Sequence, residues 1–356
     1  MSKTNSGNFF EDFEIGAELV HAAPRTVTEG DQSLYIALTG DRYAQHCSAE
    51  FARAIGFERE TVNDLLTFHI VFGKTVNDVS LNAVANLGFA SVRFLRPVYP
   101  GDTLRTVSKV LGKKENSSGK TGVVWVRSTG TNQRGEQVLD YIRWVMVNKR
   151  DPETRTGEDA APELKKALEP ADLVVPSELD ATKLETWASG GSFFFEDYEI
   201  GERIDHVDGM TIEESDHMLA TRLYQNTAKV HFDQFQADKT RFKRRLIYGG
   251  HIISLARSLS YNGLENALGI LGWNGGTHAN PTFAGDTIYA LTEVLDKQPL
   301  PGRDDLGALR LRLVGVKNWE RSEGALAIKI EKDGKQVYDP RIVLDLDYWV
   351  AMPTRK

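Results

Sequence analysis

The chain has 356 residues, 41% of them hydrophobic and 26% charged, with 50 Asp and Glu against 43 Lys and Arg for a net charge of −7. That length suits two domains of ordinary size, and the composition is that of a globular protein. The acidic balance argues against nucleic acid as a partner, because phosphate binding needs concentrated positive charge. No run approaches the ~20 apolar residues that span a bilayer, so no membrane partner is expected either.

The opening run, Met1 to Asn8, lacks the apolar stretch of a secretory signal. A loop, Phe9 to Gly16, then leads to a short strand over 25–27 and a helix from about Thr28 that carries Leu34, Ile36 and Leu38. The one cysteine, Cys47, has no internal partner for a disulfide, which fits a cytoplasmic location, and it is expected as a buried thiol rather than a nucleophile. Asn63 or Asp64 would cap a second helix, in which Leu65, Leu66, Phe68, Ile70, Val71 and Val76 recur close to helical spacing. Runs rich in Val, Ile, Thr and aromatics predict strands over 90–95, 102–111, 121–130 and 138–147, with a hairpin turn at 132–135. From Lys149 to about Gly190 the pattern breaks into polar, turn-forming sequence that reads as a crossover, with a short helix over 164–168.

Then the sequence begins again. Phe194 to Gly201 repeats Phe9 to Gly16 at an offset of 185, and Thr211, Asp216 and His231 answer Thr26, Asp31 and His46. The echo lasts to Pro281 and Gly285-Asp286-Thr287, which match Pro97 and Gly101-Asp102-Thr103 at an offset of 184. The second apolar helix starts near Tyr248-Gly249-Gly250, and a turn at 332–335 joins two late strands. Each half is therefore an α+β unit in which antiparallel strands wrap one long helix, which explains why that helix is apolar over a wide arc. The expected division is 1–148, a crossover at 149–190, and 191–356. Two copies in one chain build one pseudo-symmetric interface while letting each copy specialise.

The sharpest local signal is Gly40-Asp41-Arg42-Tyr43-Ala44-Gln45-His46, followed by Phe51-Ala52. Asp41 and His46 converge if the chain turns after Gly40, a residue that accepts backbone angles closed to others. An imidazole titrates near neutrality and a nearby carboxylate orients it, so such a pair suits proton transfer. Taken alone, the spacing arises often by chance. In the second copy His231 is kept, as a structural histidine or a substrate contact, but Asn226 replaces the aspartate; Asn holds a water or an amide and takes no proton. His251 and His278 read as core or structural residues. The histidines form no metal-ligand spacing, and the glycines of 272–276 lack the lysine and context of a phosphate loop.

These residues resemble the signature of the MaoC-like (R)-specific enoyl-CoA hydratases, approximately Gly-Asp-x-Asn-Pro-aliphatic-His with a downstream Phe-Ala. Tyr43-Ala44 stands where that family has Asn-Pro. The resemblance covers nearly the whole chain in two copies and implies a double hot-dog fold, each half an antiparallel sheet around a central helix. It further implies reversible addition of water to the double bond of an acyl-CoA, here of a branched dicarboxylic kind, by a homodimer without metal or cofactor beyond the thioester substrate. Asp41 and His46 would activate the water. Backbone N–H groups at a helix start, Asp64-Leu65 or Gly249-Gly250, would answer charge on the thioester oxygen. The basic run that includes Lys243, Arg244 and Arg245, with Arg93 and Arg96 on a strand, reads either as a solvated face or as contacts for CoA phosphates or a substrate carboxylate. Two rival readings are a hot-dog thioesterase using Asp64 and a non-catalytic acyl-CoA binder, since fold alone does not separate them.

Overall fold

The computed structural model describes residues 3–157, 159–321, 324 and 326–355; Met1, Ser2 and Glu158, from the opening and crossover runs, lie outside them. In the first half, β1 (Glu18–Thr26) and α1 (Glu29–Thr39) lead to α2 (Asp64–Lys74), then β2 (Ala83–Phe94), β3 (Thr103–Glu115), β4 (Thr121–Thr131) and β5 (Gln137–Asn148). The second half repeats this as β6 (Arg203–Thr211), α3 (Glu214–Leu223), α4 (Gly249–Leu259), β7 (Ile270–Thr277), β8 (Thr287–Pro299), β9 (Leu306–Lys317) and β10 (Ile342–Pro353).

All ten strands form one antiparallel sheet in the order β1-β3-β4-β5-β2-β7-β10-β9-β8-β6. The order reads the same from either end once β1 to β5 are exchanged for their repeats. The halves meet at the centre, where Val92 pairs with Trp273 and Arg93 with Gly272. A sheet shared across the seam leaves neither half a raw central edge, which would otherwise invite foreign strands. The architecture is the double hot-dog.

Each half wraps its sheet round its long helix. Every residue of α2 from Leu65 to Lys74 is buried, as is every residue of α4 from Gly250 to Leu259. Such helices are stabilised by packing more than by propensity. The close approach of the halves needs a glycine: a Cβ on Gly73 of α2 would stand 1.8 Å from the Tyr224 carbonyl oxygen. Two polar groups buried at this seam share one partner. Tyr35 donates to Ser254 Oγ at 2.9 Å, and the same oxygen lies 2.8 Å from His69 Nε2. Burial holds His69 well below the usual imidazole range, so it is neutral in this bond.

The ends of the strands predicted over 102–147 fall within four residues of those of β3, β4 and β5, and the strand predicted at 90–95 is the end of β2, which starts seven residues earlier; two further elements differ. The strand expected at 25–27 is the tail of a nine-residue edge strand with an irregularity between His21 and Arg25. Its pattern is mostly exposed and contains Pro24, which only an edge tolerates, so no buried alternation marks it. The helix expected over 164–168 is absent. That stretch lacks regular structure up to a single 3₁₀ turn at Pro170–Asp172, because Leu168 is drawn into the core and its N–H donates to Asn274 Oδ1 at 2.7 Å.

Replacing Ser254 by Ala would leave the buried Tyr35 hydroxyl and His69 ring without their shared partner. The expected cost is about 1–3 kcal/mol, seen as a lower denaturant midpoint at unchanged slope.

Candidate active site

Helix α1 ends at Gly40, which takes a left-handed φ of 66° and sends the chain back towards α2. That turn delivers Asp41 into the interior, where it is buried. Its Oδ1 accepts the Tyr43 N–H at 3.1 Å and its Oδ2 accepts the Asn63 Nδ2 at 2.6 Å. Asn63 is the N-cap of α2, and its Oδ1 accepts the Leu65 N–H at 2.8 Å. One side-chain amide thus ties the carboxylate to the start of the central helix.

His46 lies on a short helix, Ala44–Cys47, that follows directly. Its Nδ1 is 3.3 Å from the Thr61 carbonyl and 3.2 Å from Thr61 Oγ1. A carbonyl only accepts, so Nδ1 carries a proton, and Nε2 makes no hydrogen bond among the described residues. Gln32 braces both ends of this contact, donating to the His46 and Thr61 carbonyls at 2.7 and 3.1 Å. Asp41 and His46 are held by separate partners and make no direct bond to each other. Tyr43, in the family's Asn-Pro position, is an anchor: the buried Arg257 guanidinium lies 3.7 Å from its ring centroid, and its hydroxyl is 3.2 Å from Ser260 Oγ. The loop is thereby clamped to the second half by a cation–π contact.

Beside this pair runs a narrow cleft between the halves. Its polar wall is Gln45, Thr61, Asp64 and Arg96, and Val174, Pro176 and Leu179 of the crossover close the other side. It encloses about 30 Å³, room for one water molecule. Asp41 and His46 stand behind Thr61 and Asn63 rather than on the wall. Asp64, the first residue of α2, is only half-buried and accepts the Ile270 N–H on Oδ2 at 2.8 Å, while Gln45 Oε1 accepts the neighbouring Gly269 N–H at 3.2 Å. Desolvation raises the Asp64 carboxyl above its usual range; His46 pulls it down and Asp41 pushes it up, so it senses both.

The second copy keeps the frame and changes the groups. Asn226 Oδ1 accepts the Ala228 N–H at 3.2 Å, the counterpart of Asp41 on Tyr43. His231 Nδ1 lies 2.8 Å from the Leu246 carbonyl, the counterpart of His46 on Thr61, and desolvation lowers its pKa to about 4. Tyr248 and Gly249 replace Asn63 and Asp64, and α4 starts without a side-chain cap. A Cβ on Gly249 would meet the His278 ring at 2.5 Å. His251 is buried, as expected, but His278 is exposed.

Several expected site residues are committed elsewhere. The Leu65 N–H cannot meet a thioester oxygen while Asn63 caps it, and Asp64 brings a carboxyl to the helix start. Arg93 pairs with Asp140 at 2.9 Å, Arg245 with Glu214, and Arg244 with the Ala284 carbonyl at 2.6 Å, while Lys243 is exposed. Of the candidate basic residues, Arg96 reaches the cleft wall. Cys47 is exposed, not buried; its thiol donates to the Asp41 carbonyl at 3.4 Å, and desolvation followed by the Asp41 charge pushes it up to about 12, so it is no nucleophile. Asn63 was legible as a cap but not as the partner of Asp41. Thr61, Gln45 and the crossover residues carry no pattern that would single them out.

Comparison with known proteins agrees with the fold. The sequence model of the mesaconyl-CoA hydratase family matches residues 1–322. The chain is 55% identical to β-methylmalyl-CoA dehydratase of Chloroflexus aurantiacus over 99% of both chains, and 54% identical to mesaconyl-CoA hydratase of Cereibacter sphaeroides over the same shares. A crystal structure described as a putative MaoC domain protein dehydratase from Chloroflexus aurantiacus superposes with a TM-score of 0.95 at 55% identity, covering 100% of each chain.

Two outcomes follow from the site's construction. Asn63→Ala removes the cap and strips Asp41 of a partner, and should lower stability by about 2 kcal/mol or more in a denaturation curve. Asp64→Asn should do the reverse. A carboxyl whose folded pKa is raised favours the fold only while protonated, and that contribution is lost as pH rises through the folded value. The variant should therefore melt higher than the parent at pH values above the folded pKa of Asp64, with the gap closing as the pH is lowered through it.

Proposed function

The chain belongs to the mesaconyl-CoA hydratase family, and from that membership and the site's geometry we propose that it reversibly hydrates mesaconyl-CoA to β-methylmalyl-CoA. The reading makes it a hydro-lyase that works in the cytoplasm as a homodimer, with the CoA thioester as substrate and no cofactor of its own.

The observation that carries the site assignment is the open Nε2 of His46 next to a carboxylate already fixed by two hydrogen bonds. His46 Nε2 takes a proton from a water oriented by Asp41, and the hydroxyl adds to the β-carbon. Negative charge moves to the thioester oxygen, and a proton goes to the α-carbon. With Asn63 capping α2, the N–H of Asp64 rather than that of Leu65 is the helix-start donor left in the first copy for that oxygen. Arg96 on the cleft wall suits the substrate's free carboxylate as a charge-assisted partner. The second copy holds Asn226 in place of the aspartate, so it lacks a carboxylate base and supports the first copy by its strand and its Arg257 clamp.

Incubation with mesaconyl-CoA should bleach the absorbance of the conjugated double bond while free thiol stays at zero. Asp41→Asn and His46→Gln should each lower turnover by roughly 10²–10⁴-fold, the usual share of a general acid or base, with little change in melting temperature. Thiol release would identify a thioesterase instead, and Asn226→Ala or His231→Ala proving the more damaging would move the site to the other half.

A further inference from the structure

We propose that the Asp64 carboxyl is a second proton-handling group of this site, the one that exchanges a proton with the substrate's α-carbon. This rests on the hydratase reading of the first copy and adds to it.

An aspartate in the first turn of a helix has a bland role, which is to face solvent and complement the helix dipole. Asp64 departs from it. It lies on the polar wall of the cleft between the halves, which Thr61 and Arg96 also line. One oxygen is fixed by the Ile270 N–H, contributed by the other half, and the second oxygen has no hydrogen-bond partner among the described residues. A carboxyl anchored by one oxygen and open by the other is oriented for proton transfer in a single direction. The charged groups that act on it are His46 and Asp41 from its own half, Arg96 lines the same cleft, and the second half presents the backbone of Gly269 and Ile270. The equivalent position in the second copy is Gly249, where no carboxyl exists.

The step balances without another reagent. His46 takes one proton from water as the C–O bond forms at the β-carbon, and the π electrons move onto the thioester as an enolate. The protonated Asp64 gives its proton to the α-carbon as the enolate collapses. The proton on His46 then returns to Asp64 through solvent, so the sum is one water added. A raised carboxyl pKa keeps the donor protonated over a wider pH range, which is what the hydration direction requires.

The test compares Asp64→Asn and Asp64→Glu with Asp41→Asn and His46→Gln in the full chain, assaying mesaconyl-CoA hydration across pH. Asn can still accept the Ile270 N–H, so the fold is expected to persist, checked by thermal melting. The expected result for Asp64→Asn is a fall in kcat of roughly 10²-fold or more, KM changed by less than about threefold, and loss of the alkaline limb of the kcat profile. Asp64→Glu should restore part of the rate and return a displaced alkaline limb, which a merely structural role would not do. Asp64→Asn keeping kcat within about threefold and its alkaline limb would overturn the proposal. Should Asp64→Asn fail to fold, Asp64→Glu with an unmoved pH profile would overturn it equally. If Asp41→Asn and His46→Gln retain full turnover, it is the underlying reading of the site that falls.

Discussion

The site depends on a single side-chain amide. Asn63 accepts an N–H from the first turn of α2 with its oxygen and donates to Asp41 with its nitrogen. An amide is the side chain with both a donor and an acceptor at one end, so it serves helix and carboxylate at once. An aspartate here would cap the helix equally well but set two carboxylates against each other. A serine would cap it but reach less far. The residue that caps the central helix therefore also fixes the Asp41 carboxylate, and the buried helix lends that contact its rigidity.

The crossover between the halves belongs to the site as much as to the connection. Its polar composition reads as a solvated linker, yet Leu168, Leu173, Leu179 and Leu184 are buried, and Val174 and Pro176 face the cleft. A stretch whose own regular structure is confined to a two-residue strand and single turns of helix takes its conformation from what it lies on, here the first half's Gly56 and the second half's strands. A Cβ on Gly56 would meet the Glu178 carbonyl at 2.0 Å, so the crossover's backbone sits directly on the helix-turn that follows Phe51-Ala52. The wall of the cleft is thus assembled from five separate stretches of chain, around 45–64, 94–97, 174–179, 269–271 and Ala351.

Much of the fold was legible because repetition adds a signal that propensity lacks. The offset of 185 identifies two like units before any strand is assigned, and the α+β order within one predicts the other. What escaped lies where local sequence does not decide. The edge strand β1 has no buried face to alternate, and the stretch at 164–168 has helical composition overruled by one leucine and one asparagine. In the site, Asp41 and His46 stood out by spacing, and Asn63 by its capping position. Thr61 escaped because its role is played by a backbone carbonyl, which every residue has. The basic residues misled because charge in sequence says nothing of a partner: Asp140 and Glu214, remote in sequence, claim Arg93 and Arg245.

Duplication explains how Asp64 can be tolerated at all. In a symmetric dimer of one hot-dog, a residue placed for chemistry at the helix start would appear in both sites, with its desolvation cost counted twice. Here the helix start carries Asp64 in one copy and Gly249 in the other, while the tethered histidine, the two-residue turn and the carbonyl that receives the imidazole are common to both. The shared parts are those that shape the backbone. The differing parts are those that carry charge. Unlinking the two copies frees one to hold an expensive carboxyl within reach of the Asp41 and His46 charges, and the other supplies the strand whose Ile270 N–H keeps that carboxyl in place.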